Sequence, residues 1–545
     1  STLVKSYDSG LYLKVQGSLK RLGDLEAPDY LLSNTGIREN GVSINVGKRD
    51  FIQGWEGYYS FFDSDIGILR ASHIGNIDDL ITSINNQEPN IINDFSYEIA
   101  RPNQEVTHHL GKLNYYRRFK GLGKLNLQYD FQNNRRFEYD VRVGDDANKP
   151  SLDLQLTTHS FSSSMQLDGQ EKLELKIGAL GRFQSNFANP ATGVRRLIPD
   201  YDKYDFGLFV VGEYDLTEDI KIDGGIRYDF TRLDAKKFYR TSRWEERFYD
   251  VDFGDLVIED LGTQLLTNPI LDYHNISAMT GFQYDLNDTQ IIRFNFAIAQ
   301  RAPNPSELFS DGLHHSAARI ELGDLRIKSE SSSKVSASYE LSNEQWGLTL
   351  APYFNAINDF ILLEPKGVEF TIRGAFPVWS YRQTNAELIG IDFSLYNHWA
   401  SKLRSNHKFS WVRGTDTEND IPLINIPAAN MSNSITYTNT DWNNLNISLE
   451  SHYVFEQQLV PPNISVFSPQ QQQEVILDIN TAPPAYHLMS LDITTQFSIR
   501  NSNDLSLGLT VANLLNTNFR DYLNRQRYFV DDLGRNINLR IIYNY

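Results

Sequence analysis

The feature that most restricts this chain is an alternation of apolar and polar residues, repeated in short segments along its length. In Asn536–Tyr545 one face carries Ile537, Leu539, Ile541, Tyr543 and Tyr545; the other carries Asn536, Asn538, Arg540, Ile542 and Asn544. In Asp219–Phe230, Ile220, Ile222, Ile226, Tyr228 and Phe230 oppose Lys221, Asp223, Arg227 and Asp229. Ile292, Phe294, Phe296 and Ile298 oppose Arg293 and Asn295, and Leu445, Ile447, Leu449, Tyr453 and Phe455 oppose Asn446, Ser448, Glu450 and His452. A period of two means strands with one apolar and one mostly polar face. Such strands either hide the apolar face in a soluble core or turn it to lipid around a wet lumen.

The connections favour lipid. Short turns fall near Lys120–Gly123, Leu167–Gln170, Asp215–Asp219, Leu286–Thr289, Ser342–Glu344, Trp399–Lys402, Asn439–Trp442 and Arg500–Asp504. Much longer segments lie between the hairpins: Arg70–Glu105, Leu233–Asp272, Arg301–Lys328, Asp359–Trp379, Gly414–Pro427, Glu456–Ala485 and Asn518–Arg535. Tight turns on one side and long loops on the other are the pattern of an outer-membrane barrel. The expected fold is therefore all-β, a transmembrane antiparallel barrel of about 20–22 strands with short periplasmic turns and long extracellular loops. Single-chain barrels usually have an even strand count, and Ser1–Ser9 reads as part of a strand. One or two strands, and whatever precedes them, are expected to lie upstream.

Length alone would divide 545 residues into three or four domains. The 29 Tyr, 31 Phe and 7 Trp are instead spread along the chain with no linker, so residues 1–545 are expected to form one barrel domain. No stretch approaches the roughly 18 continuous apolar residues of a spanning helix. The formal charge, 51 − 69 = −18, argues against nucleic acid as the main partner. With no cysteine, disulfides, thiol nucleophiles and thiolate metal sites are excluded. No export signal follows Ser1, so any such peptide has been removed or lies upstream. No nucleotide-binding glycine loop, nucleophile elbow or His-Glu-x-x-His helix is present, and no enzyme activity is expected.

Five segments, in order, carry a resemblance. They are "GSLKRLGDLEAPDY" (Gly17–Tyr30), "RAPNPSELFSDGLHHSAARIELGD" (Arg301–Asp324), "YRQTNAELIGIDFSLY" (Tyr381–Tyr396), "VANLLNTNFRDYLNRQR" (Val511–Arg527) and "GRNINLRIIYNY" (Gly534–Tyr545). The chain resembles the barrel of a TonB-dependent outer-membrane receptor for metals or iron complexes, of the type common in Bacteroidota. The resemblance implies active import across the outer membrane of a Gram-negative bacterium. Substrate would bind on outer loops and on the apex of an N-terminal plug, and the TonB–ExbB–ExbD complex would supply the energy. No segment here reads as that plug, so a barrel portion without it is expected. Outer-membrane lipid, lipopolysaccharide and the barrel-assembly machinery are the further implied partners, the last through the terminal aromatic Tyr545.

No permanently bound cofactor is expected; the metal or metal chelate is cargo. Within the family-like loop, Arg301, Pro303, Glu307 and Gly312 form the motif. His314 and His315 lie beside Glu307, Asp311, Glu321 and Asp324, and imidazole with carboxylate suits a borderline divalent metal such as zinc. Adjacent residues on a strand point oppositely, so the two histidines share a metal only where the backbone is irregular. The other reading is a solvated loop with both histidines hydrogen-bonded. Zinc-importing relatives carry a His- and Asp-rich early loop, whereas Arg70–Phe95 has only His73. Siderophore-bound iron or haem therefore fits at least as well as zinc, and a peptide, glycan or vitamin, or a passive barrel, are the alternatives. His108 and His109 should face opposite sides of a strand, one towards the lumen and one towards lipid or the interface. The aromatic and basic run Phe238–Asp250 suits either stacking on a ligand or loop packing.

Overall fold

The alternating segments pair edge to edge with the segments that follow them. The computed structural model describes residues 1–72, 77–85, 89–142, 144–169, 171–371, 374–500 and 503–545. Its main sheet has 26 strands; five are short loop pieces (Val257–Asp260, Gln264–Thr267, Asp311–His314, Arg319–Leu322, Ile421–Pro422), leaving 21 in the wall. Wall neighbours are antiparallel: Ile220–Arg240 pairs with Asp200–Asp215 on one side and Ile270–Asn287 on the other. The ladder runs from Thr2–Ser6 to Asn536–Asn544, and loops near both ends bind each other. The Asp531 amide donates to Tyr30 Oη at 2.8 Å and the Gly534 amide to the Glu26 carbonyl at 2.9 Å. The sheet is thereby curled onto itself.

The two faces of the wall differ as the alternation predicts. Cross-strand pairs such as Val210–Ile226, Leu208–Tyr228 and Phe282–Phe294 stack on one face, and these side chains are largely exposed to the surroundings. The opposite face carries charge, with Arg182 Nε on Asp205 at 2.7 Å and Arg293 Nη1 on Glu340 at 2.6 Å. Apolar atoms left outside on this scale belong in hydrocarbon, with the ion pairs lining a wet lumen.

The tight connections fall where expected, for example at residues 120–122 and 288–289. The long connections are more ordered than expected. Asp359–Trp379 is not a loop: Trp346–Thr371 and Gly374–Ala400, 26 and 27 residues long, stay paired beyond the wall. Polar backbone leaving a wall must pair with something, and here each strand is the other's partner. The shifts in register at Ile357/Phe360 and Pro365/Gly367 are where this hairpin bends. Ile220–Arg240 also outruns the wall, its last four residues pairing with Gln264–Thr267. The first long connection carries an α-helix, Ile77–Asn85.

Buried apolar side chains concentrate in these loops. One cluster joins Tyr30, Leu69, Leu80, Trp379, Leu477 and Phe529, drawn from connections far apart in sequence. A second joins Leu233, Tyr239, Trp244, Tyr249, Leu308 and Phe309. The loops thus form a packed roof on one end of the barrel.

Candidate functional site

A cavity of about 600 Å³ opens where the roof segments meet. The connection 302–329 contributes His314, Arg319 and Glu321, the long hairpin contributes Trp379, and the last loop contributes Arg527 and Tyr528. The short strand Arg319–Leu322 is held in place by parallel pairing with residues 378–380 of the hairpin. Arg319 then lies over the Trp379 ring at 4.8 Å. Arg527 lies against Tyr522 at 4.6 Å and Tyr528 at 4.5 Å. Arg525 is a third cation on the same wall. Guanidinium groups stacked on rings keep their charge while their flat faces are covered, which prepares them for planar anions.

One carboxylate organises the cations. Glu321 Oε1 accepts from Arg319 Nε at 2.8 Å and lies 3.1 Å from His314 Nδ1. Burial would raise this carboxyl, but His314 and the charge of Arg319 more than offset it and hold it at about 2. Arg136 Nη2 lies 3.2 Å from His314 Nε2. Both imidazole nitrogens are therefore engaged.

The two adjacent histidines diverge. His314 ends the strand Asp311–His314 and lines the large cavity, while His315 opens a 3₁₀ turn and lines a second cavity of about 410 Å³. His315 Nδ1 lies 3.6 Å from Asp140 Oδ2. The other residues of the motif support the loop. Glu307 accepts two hydrogen bonds from Arg301 and a third from the Asn304 amide at 2.7 Å, which fixes the start of the short helix Pro305–Phe309. Pro303 is buried at the loop entry. Gly312 lines the second cavity. Asp311 is 1% exposed and faces Arg195 at 3.4 Å, Arg247 at 3.7 Å and Lys237 at 3.9 Å. Burial lowers the Lys237 ammonium to about 8 despite Asp311. His73 lies outside the described residues. Tyr545 is exposed and stacks on Tyr543 at 6.1 Å, at the wall's last edge. Among the described residues no group of three or more His, Asp or Glu is placed to hold a metal ion.

Phe238–Asp250 divides: Tyr239, Trp244 and Tyr249 are buried against one another, while Phe238 and Phe248 are exposed. His109 faces outwards beside Tyr59 at 2.9 Å, and His108 faces the lumen within 3.4 Å of Asn134. The stacked cations Arg319 and Arg527 were not foreseen. The signal for Arg527 in the sequence is the run Arg525-Gln526-Arg527-Tyr528-Phe529, basic and aromatic residues interleaved in a loop.

Comparison with known proteins agrees with this architecture. Residues 29–514 match the family model "TonB dependent receptor-like, beta-barrel". No curated protein matches. Among solved structures, the chain is similar to the copper transporter OprC, with 14% identity and a TM-score of 0.72 over 97% of this chain and 75% of that one. It is similar to the FrpB iron transporter from Neisseria meningitidis, with 14% identity and a TM-score of 0.69 over 98% and 78%. It is also similar to the ferric yersiniabactin uptake receptor FyuA from Yersinia pestis, with 12% identity and a TM-score of 0.64 over 100% and 77%. A wall of paired amphipathic strands, a loop roof and a match along most of the length lead to one assignment: the chain belongs to the TonB-dependent receptor-like β-barrel family.

Proposed function

We propose that this protein is an outer-membrane receptor that imports a metal as an anionic chelate, driven by the TonB–ExbB–ExbD complex, with residues 1–545 serving as its barrel. The observation that carries the reading is the cavity under the roof, where Arg319, Arg525 and Arg527 are gathered beside Trp379 and Tyr528. A chain of formal charge −18 would repel an anion over most of its surface, so a local cluster of three guanidinium groups marks where one is received. Rings beside the cations suit a chelate built from flat donor groups, such as a ferric catecholate. Copper, iron and ferric yersiniabactin named for the similar structures support a metal-bearing cargo. His314 and Glu321 act in this reading by holding Arg319, and direct ligation by His314, His315, Glu307, Asp311 or His73 is the second arm of the test. Tyr545 is read as the assembly signal.

The test is quenching of Trp379 fluorescence in the full-length protein on titration with a ferric tris-catecholate, alongside uptake of the labelled chelate by cells. Arg319→Ala with Arg527→Ala should weaken binding by at least tenfold, and an uncoupler should abolish uptake. Unchanged affinity in the double variant overturns the anionic-chelate reading. Tighter binding of free zinc than of the chelate, lost in His314→Ala with His315→Ala, would replace it by direct ligation. A large steady conductance through the complete protein in a planar bilayer would exclude an energised receptor.

A further inference from the structure

The outward face of the wall carries one constellation three times. Tyr59 and Phe61 stand two apart on one strand, and His109 pairs with Phe61 across the ladder. Tyr129, Phe131 and His159 repeat this, as do Tyr228, Phe230 and His274. In each, the tyrosine hydroxyl meets the imidazole Nδ1, at 2.9, 2.8 and 2.7 Å. In each, the phenylalanine ring is 5.1 Å from the imidazole. In the tautomer with the ring proton on Nε2, the hydroxyl donates to Nδ1 and each histidine keeps one donor to spare.

All three mark the same boundary. Towards the tight turns the outward residues are apolar, as at Leu125 and Leu127 or at Ile222 and Ile226. Towards the roof they turn polar, as at Asp63 and Asp65, Asn133 and Arg135, or Arg232 and Asp234. Just beyond each histidine group an ion pair stands on the same outward face: Arg38–Asp65 at 3.3 Å, Arg135–Asp153 at 3.3 Å and Arg232–Asp272 at 2.6 Å. The arginine is the outer partner in each, for example 61% exposed against 14% for Asp65, and 49% against 6% for Asp153.

We propose that these are three lipid-headgroup sites, each pairing an imidazole Nε2–H with an arginine to bind a phosphate monoester of an outer-leaflet glycolipid. An ordinary aromatic girdle needs amphipathic rings only, and tyrosine supplies that alone. A histidine fixed by the tyrosine adds a directed donor at the depth where hydrocarbon gives way to headgroup. The arginine above it adds a forked donor that matches phosphate. The aspartate, the less exposed partner of each pair, holds the guanidinium in place. Because these residues face away from the lumen, the proposal does not depend on what the barrel imports.

The experiment uses the full-length protein, freed of lipid in detergent and titrated with bisphosphorylated lipid A while bound lipid is counted by native mass spectrometry. His109→Phe, His159→Phe and His274→Phe together keep the ring packing, and Arg38→Gln, Arg135→Gln and Arg232→Gln together form a second variant that leaves the histidines intact. Folding of each is checked by heat-modifiable migration in detergent gels. Each variant should weaken lipid A binding at least tenfold, leave phosphatidylcholine binding unchanged and leave cavity binding of the chelate unchanged. Inorganic phosphate at the same phosphate concentration should compete poorly. Equal lipid A binding by wild type and both folded variants overturns the proposal. So does an equal loss for phosphatidylcholine, or full competition by inorganic phosphate.

Discussion

Arg301 grips Glu307 through two parallel hydrogen bonds, Nη1 to Oε2 at 3.0 Å and Nη2 to Oε1 at 3.2 Å. The same guanidinium reaches Glu330 from Nε and Nη2, both at 3.2 Å. One side chain thus joins the end of the strand Gln290–Arg301, the helix Pro305–Phe309 and the start of the strand Glu330–Ser342. The excursion that carries Arg319 and Glu321 leaves and re-enters the wall at a point clamped by this fork. Arg301→Gln keeps some polarity but strands two carboxylates. A loss on the order of 2 kcal/mol is expected for the loop, or roughly thirtyfold more of its open form. Limited proteolysis should show faster cleavage within 302–329 while the barrel stays heat-modifiable; an unchanged cleavage rate would falsify the clamp.

Asp311 is the only carboxylate within 4 Å of Lys237 among the described ion pairs, and it also faces Arg195 and Arg247. Asp311→Asn removes the charge and keeps the shape. Breaking a buried charge pair from one side costs about 3–5 kcal/mol. The second apolar loop cluster, around Trp244 and Tyr249, should loosen, read as increased hydrogen exchange across residues 237–253. Wild-type protection in the variant would show that the cations find other partners.

Glu321 sets an acid limit on the roof. Its folded-state value, about 2, lies below the ordinary 4.5, so its contribution is fully present above about pH 4.5. That contribution is lost as the pH falls towards 2, because protonation then favours the unfolded loop. Its size, on the order of 3 kcal/mol, follows from the shift. Emission from Trp379, stacked under Arg319, should hold steady from pH 7 to about 5 and change below 4.5. In Glu321→Gln the same acid transition should disappear; a transition of equal size in that variant would assign it to another carboxyl.

Gly123 begins the strand Gly123–Tyr139 with φ +134°, and an added Cβ would stand 2.0 Å from the Gln166 carbonyl oxygen of the neighbouring strand. Backbone cannot yield there as a flexible side chain would. Gly123→Ala should lower the folded fraction recovered from membranes, with a cost of about 1–3 kcal/mol. Gly121→Ala, two residues earlier in the same turn, has a left-handed φ of +72° but no neighbour within 4 Å. It should cost about 1 kcal/mol. Equal losses in the two variants would assign the effect to turn conformation rather than contact.

Much of the wall was legible because alternation is local. Ile226 and Tyr228 lie outside, and Arg227 and Asp229 inside, for reasons contained in a few consecutive residues. The tight turns were legible for the same reason. The roof was not. Asp359–Trp379 reads as a loop in sequence, yet stays in two paired strands because each supplies the other's backbone partners beyond the wall.

The site divides in the same way. Sequence placed Arg301, Glu307, Asp311, His314 and His315 in one loop, and the structure keeps them there. It could not say that Glu307 and Asp311 would be taken by Arg301, Lys237, Arg195 and Arg247. Nor could it say that His314 and His315 would open onto different cavities. Arg319 and Trp379 are 60 positions apart, and Arg527 comes from the last loop; only the curl of the sheet brings them to one wall. The sequence by itself determined a membrane barrel of paired amphipathic strands, because burial against lipid is decided residue by residue. Only the tertiary structure decided where charge collects under the roof, because that depends on which distant loops share a rim once the sheet curls onto itself.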